Sequence, residues 1–140
     1  MKLNPKVGLT VIITILTIAF TAFIVFKSVQ EANFEIDASQ SQLIISGGLY
    51  GKTIDLNENV EITMIEPLEI KRKTNGAAIG NVKSGYFTLA DDTKVYLNLG
   101  NDNHEWIAII DEDDQYYINL KDEDETLNLY NELLDLIDNN

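Results

Sequence analysis

Residues 106–137 read WIAIIDEDDQYYINLKDEDETLNLYNELLDLI, and a change of period inside this stretch decides the fold class. Two short runs rich in Ile and Tyr, Trp106 to Ile110 and Tyr116 to Leu120, flank an acidic turn from Asp111 to Asp114. Runs of that length and composition, separated by turn residues, read as antiparallel strands. Leu127, Tyr130, Leu133, Leu134 and Ile137 then recur at three and four residues, which makes one apolar stripe along a helix. Asp122 stands where an N-cap belongs, with Glu125 three residues on, and the acidic group Asp122 to Glu125 complements the positive end of the helix dipole. Those four charges are structural and require no further function.

Upstream, the strand pattern repeats. Leu43 to Ser46 stops at Gly47-Gly48, Leu49 to Leu56 stops at Asn57-Glu58-Asn59, and Val60 to Ile65 stops before Pro67. Leu68 to Lys73 leads to an Asn75-Gly76 turn, with a second turn at Gly80-Asn81. Tyr86 to Leu89 and Val95 to Leu99 flank Asp91-Asp92, a hairpin signal. Phe34 and Ile36 could add a first strand. The expected fold is mainly β with a C-terminal α-helix: about seven strands in a strongly bent sheet or partly open barrel, capped by one helix.

Val7 to Phe26 reads VGLTVIITILTIAFTAFIVF, twenty residues without a charge. At roughly 1.5 Å per residue this matches a bilayer core about 30 Å thick. A core helix of a small domain would be amphipathic, whereas this one is apolar all round. A cleaved signal peptide would have a shorter core ending in small residues, and Phe23 to Phe26 is bulky. The stretch therefore reads as an uncleaved, single-pass anchor. Lys2 and Lys6 before it, against Lys27 behind it, place the N-terminus inside and the domain outside the cell membrane. The chain divides into residues 1–27, tail and transmembrane helix; 28–41, juxtamembrane connector; and 42–138, the folded domain.

All 23 acidic residues lie from Glu31 onward, against seven basic ones, which leaves this part with a net charge of −16. Such a charge repels nucleic acid and favours basic partners. The absence of cysteine excludes disulfides, thiolate nucleophiles and thiolate zinc sites.

The series Lys73-Thr74-Asn75-Gly76, Gly80-Asn81 and Gly85-Tyr86-Phe87 is similar to the signature of the bacterial PH-domain family, of pleckstrin-homology-like fold. Asn119-Leu120-Lys121-Asp122 through Glu125-Thr126 and Tyr130 resembles that family's last strand and helix entry. The likeness spans about Ser41 to Ile137. It departs at Glu123, where relatives often carry proline, and in having one membrane span where relatives can have two. The resemblance implies a non-catalytic module that holds a protein or peptide.

Lys71, Arg72, Lys73 and Lys83 concentrate four of the seven basic residues beside the glycine turns. With Asn75 and Gly76 they form the candidate anion-binding set, where backbone N–H groups and cations could hold a lipid headgroup or an envelope polymer. The plainer reading is that the glycines shape a long hairpin while the cations answer carboxylates such as Glu66 and Glu69. Asp111, Asp113, Gln115, Asn119 and Asp122 loosely follow EF-hand spacing, but Tyr116 sits where glycine is needed and Asp122 where the bidentate glutamate belongs. An acidic hairpin turn is the better account. His104, the one histidine, reads as an exposed turn residue, and Trp106, Tyr116 and Tyr117 as core. No metal, cofactor or catalytic residue is expected. The expected partners are the bilayer, through Val7 to Phe26, and a protein or peptide at its surface.

Overall fold

The computed structural model describes residues 5–139. Lys2, one of the two cations in the topology argument, lies outside the described residues. Helix α1 (Pro5–Val29) is followed by a three-stranded sheet of β1 (Asn33–Asp37), β2 (Gln42–Ser46) and β3 (Lys52–Asp55), paired antiparallel in that order. A six-stranded sheet comprises β4 (Glu61–Ile65), β5 (Ile70–Ile79), β6 (Val82–Leu89), β7 (Lys94–Leu99), β8 (Trp106–Asp111) and β9 (Asp114–Asn119). Its order is β4-β8-β9-β7-β6-β5. Helix α2 (Glu123–Asp138) ends the chain. The protein is mainly β with one C-terminal helix, and both sheets are open.

Nine strands form where about seven are expected. One of the additional strands comes from the presumed connector: β1 pairs along its whole length with β2, and Phe34 and Ile36 pack on the core. At the other end, Asp122 caps α2 as anticipated, its Oδ1 accepting from the Glu125 backbone N–H at 3.0 Å. Along α1, Thr10, Thr14, Thr17 and Thr21 each return their hydroxyl to a carbonyl one turn back, at 2.9–3.0 Å, which satisfies four polar groups on an otherwise apolar helix.

The six-stranded sheet is strongly bent, and chain length shows why. Lying flat, its edge strands β4 and β5 would stand five spacings apart, about 24 Å. The five steps from Ile65 to Ile70 reach at most about 18 Å. The edges must therefore bend toward each other, and Ile65 and Ile70 pack on the same cluster as Phe87, Trp106 and Tyr117 on one face. The other face is covered by the three-stranded sheet and α2: Leu43, Ile45 and Ile54 meet Ile107, Ile109 and Ile118, with Leu129 and Leu133 from the helix. The helix thus lies on β4 and β8 beside the smaller sheet, instead of plugging the end of a barrel.

The expectation of antiparallel pairing throughout needs correction, because β7 and β9 are parallel, Tyr96 opposite Tyr116 and Leu99 opposite Asn119. Strand β9 returns from a tight turn at Glu112-Asp113 and inserts between β7 and β8. The chain joining β7 to β8 must then step over the end of β9. Asn119, 1 % exposed, makes the step possible. Its Nδ2 donates to the Asn101 carbonyl at 2.7 Å and to that of Glu105 at 3.2 Å, and its Oδ1 accepts from Asn101 N–H at 3.2 Å. Buried backbone groups that would otherwise lack partners are satisfied by one side chain.

Replacing Asn119 by leucine keeps the volume and removes all three bonds. We expect a loss of about 2–4 kcal/mol, read as a lowered urea midpoint. An unchanged midpoint would mean that the crossover loop is held by something else.

Candidate functional site

The candidate site begins with β5, an edge strand that runs straight through the sequence-predicted turn at Asn75-Gly76. That turn does not exist, and the hairpin closes only at Gly80-Asn81, with Gly80 at φ +56. Gly76 serves close approach instead: a Cβ there would lie 2.5 Å from the Ser84 carbonyl oxygen and 3.1 Å from the Phe87 ring. Gly85, its partner across the ladder, has φ +112, and the Tyr50 ring covers it. The Gly/Asn spacing of the sequence motif is thus spent on bringing two backbones together.

Register shifts between Ile70 and Arg72 and between Lys73 and Asn75 divide the proposed anion-binding set. Lys73 lies opposite Phe87, whereas Asn75 lies opposite Tyr86, and neighbours on β6 point to opposite faces. The Tyr50 hydroxyl donates to Asn75 Oδ1 at 3.4 Å on that second face. Lys71 is paired with Asp92 in the β6–β7 turn. Lys83 is paired with Asp102 at 2.7 Å and donates to the Gly80 carbonyl at the same distance. The carboxylates that answer the cations are therefore Asp92 and Asp102, in place of Glu66 and Glu69. Arg72 and Lys73 are exposed and have no ion-pair partner among the described residues.

Lys73 and Lys83 do share a hollow of about 400 Å3 on the sheet face turned away from α2. Phe87 and Trp106 lie buried beneath its floor, Leu68 and Ile70 come from the strand edge, and the Lys83–Asp102 pair with Asn103 forms the polar side. Trp106 is anchored by its indole N–H, which donates to the Asp102 carbonyl at 3.3 Å, and by an edge-on contact with Tyr117. The hollow therefore combines the accessible apolar groups of Leu68, Ile70 and Ala78, a fixed ion pair and one uncommitted cation. Such a site can seat an apolar side chain together with an acidic group.

A second cluster is invisible in the sequence. Lys52 Nζ sits 5.5–6.0 Å from the ring centres of Tyr86, Tyr96 and Tyr116, and donates to the Tyr86 hydroxyl at 3.2 Å. This bond holds the Lys52 ammonium above its ordinary pKa. Burial pushes the Tyr96 phenol up to about 12, and its hydroxyl donates to the Tyr50 carbonyl at 2.7 Å. The cage joins the small sheet to the large one by cation–π contact, with every member already engaged.

The loosely EF-hand-like residues do not converge. Asp111 lies opposite Asp114 across the β8–β9 turn, Asp113 is exposed in that turn, Gln115 accepts from the Tyr117 hydroxyl, Asn119 holds the crossover loop and Asp122 caps α2. No group of three His, Cys, Asp or Glu side chains among the described residues is placed to hold a metal ion. His104 is not the exposed residue expected: it is half-buried, with Nε2 3.1 Å from Asn101 Nδ2 and 3.5 Å from Glu123 Oε1. Comparison of the chain with protein-family models, curated proteins and solved structures finds no match.

The Lys83 and Asp102 side chains are 14 % and 22 % exposed, so each needs the other. We expect Lys83→Ala and Asp102→Ala each to cost about 1–3 kcal/mol, and the double variant to cost clearly less than their sum. Denaturant unfolding of the four proteins measures the coupling, and simple additivity would show the pair to be energetically independent.

Proposed function

We propose that this chain is a membrane-anchored, non-catalytic interaction module, held in the cell membrane by α1, which recognises a protein or peptide segment at the bilayer surface. The observation that carries this reading is the hollow walled by β5. It lies beside a ten-residue edge strand and offers Leu68, Ile70 and Ala78 to an apolar side chain and Lys73 to an acidic one, over a floor of buried Phe87 and Trp106. An extended segment laid along β5 would meet unpaired backbone groups and the hollow together. The two bulges and the run Lys71-Arg72-Lys73 are also devices that discourage indiscriminate edge pairing. They favour a segment that sets a single acidic side chain against Arg72 and Lys73 over an apolar strand, while the net charge of −16 disfavours a strongly acidic partner.

The resemblance to bacterial PH domains supports the same non-catalytic reading through Gly76, Gly80 and Gly85, which shape the β5–β6 hairpin. Binding of an anionic headgroup or envelope polymer by Lys71, Arg72, Lys73 and Lys83 is the weaker reading. Two of those cations are already paired, and a net charge of −16 repels a polyanion.

The length and composition of α1 support a single membrane crossing, with the domain outside on the positive-inside rule. Joint reversal of Arg72 and Lys73 to glutamate is expected to weaken capture of the partner by full-length chain in native membranes about tenfold. Recovery of the same proteins in equal yield would remove β5 from the recognition surface. On sidedness, a membrane-impermeant maleimide added to intact cells should label a chain carrying Asp113→Cys, and labelling only after permeabilisation would put the domain in the cytoplasm.

A further inference from the structure

Burial along α1 sets in only at its last turn. Every residue from Leu9 to Phe26 is exposed, Phe26 at 65 %, whereas Lys27 is half-buried and Ser28 is only 7 % exposed. The protein's own packing thus begins at the residue where the apolar run stops. Gly47 and Gly48, at φ +83 and +61, turn the chain against the helix end, where a Cβ on Gly47 would lie 3.3 Å from the Glu31 carbonyl oxygen and one on Gly48 in ordinary contact with that of Lys27. Ala77 of β5, with Val82 and Ser84 of β6, lines the same junction. Glu31 Oε1 accepts from the Lys121 backbone N–H at 2.9 Å. The helix therefore passes into the domain through a packed joint, with no free linker between them.

A packed joint fixes which part of the domain stands at the level where α1 leaves the lipid. Between residues 28 and 139, six large apolar side chains are exposed: Val29, Leu49, Leu68, Ile79, Tyr86 and Leu127. Three of them flank the joint. Val29 ends α1 and faces the Asn81-Val82 turn, Leu49 follows the Gly47-Gly48 wrap, and Ile79 is the last residue of β5, which touches α1. Lys27 and Lys121 stand beside them. Apolar tips with lysines at their margin suit the boundary between acyl chains and headgroups.

We propose that Val29, Leu49 and Ile79 rest in the interfacial layer of the bilayer that α1 crosses, so that the domain leans on the membrane at a fixed attitude. The inference rests on α1 being a spanning helix, and its test separates the two claims. The sequence contains no cysteine, so full-length chains carrying Ile18→Cys, Leu49→Cys, Ile79→Cys or Asp113→Cys can each take one nitrobenzoxadiazole label. Asp113 lies in the β8–β9 turn, at the end of those strands remote from the joint. The probe is phosphatidylcholine nanodiscs with and without doxyl-labelled phosphatidylcholine. Labels at 49 and 79 are expected to be blue-shifted, shielded from iodide, and quenched by the lipid nitroxide at least about twofold more than the label at 113. Quenching at 18 with none at 49 and 79 would overturn the leaning domain and leave the spanning helix standing. No quenching at 18 would overturn the spanning reading itself. Should a label disturb the fold, seen as a red shift of the buried Trp106 emission, Val29→Cys reports on the same layer and is held to the same outcomes.

Discussion

One buried amide holds the arrangement of the large sheet. Strand β9 can separate β7 from β8 only if the loop between those two crosses its end without stranding backbone polar groups, and Asn119 satisfies that loop from beneath. With β9 in the middle, the central strands are apolar on both faces: Leu97, Ile107, Ile109 and Ile118 are completely inaccessible. Two apolar faces require two covers. The small sheet and α2 provide one, and the bend of the sheet upon itself provides the other.

What could be read in the sequence was local. The long apolar helix α1, the cap at Asp122, the period of α2 and the tight turns at Asp91-Asp92 and Glu112-Asp113 all depend on residues close together in the chain. What escaped was cross-chain register. Parallel pairing of β7 with β9 leaves no trace in strand composition, since doubly buried strands read as continuous apolar runs whichever way they point. Asn75-Gly76 imitates a hairpin turn, and only the carbonyl of Ser84 close beneath Gly76 shows why a glycine is there. The lysine and tyrosine cage draws on four strands and could not be assembled from spacing alone.

The same distinction governs the site. A run of three cations is visible at once, but its meaning depends on which carboxylates reach it. Asp92 and Asp102 come from turns 21 and 19 residues from their partners Lys71 and Lys83. Once they are placed, the apparent patch of four reduces to Arg72 and Lys73, with Lys73 at the rim of a shallow apolar hollow. The proposed recognition thus rests on one free pair of cations beside an apolar hollow, and no longer on a patch of four charges.

The absence of slack between α1 and the sheets makes the whole molecule a lever. A transmembrane helix commonly inclines by about 20°. An eight-residue strand such as β6 extends about 26 Å, so the same inclination would sweep its distant end sideways by about 9 Å. On the proposal that α1 spans a bilayer, changes in bilayer thickness or in the company the helix keeps within the lipid would then alter the direction in which the hollow faces. A flexible stalk would absorb such changes and transmit none of them.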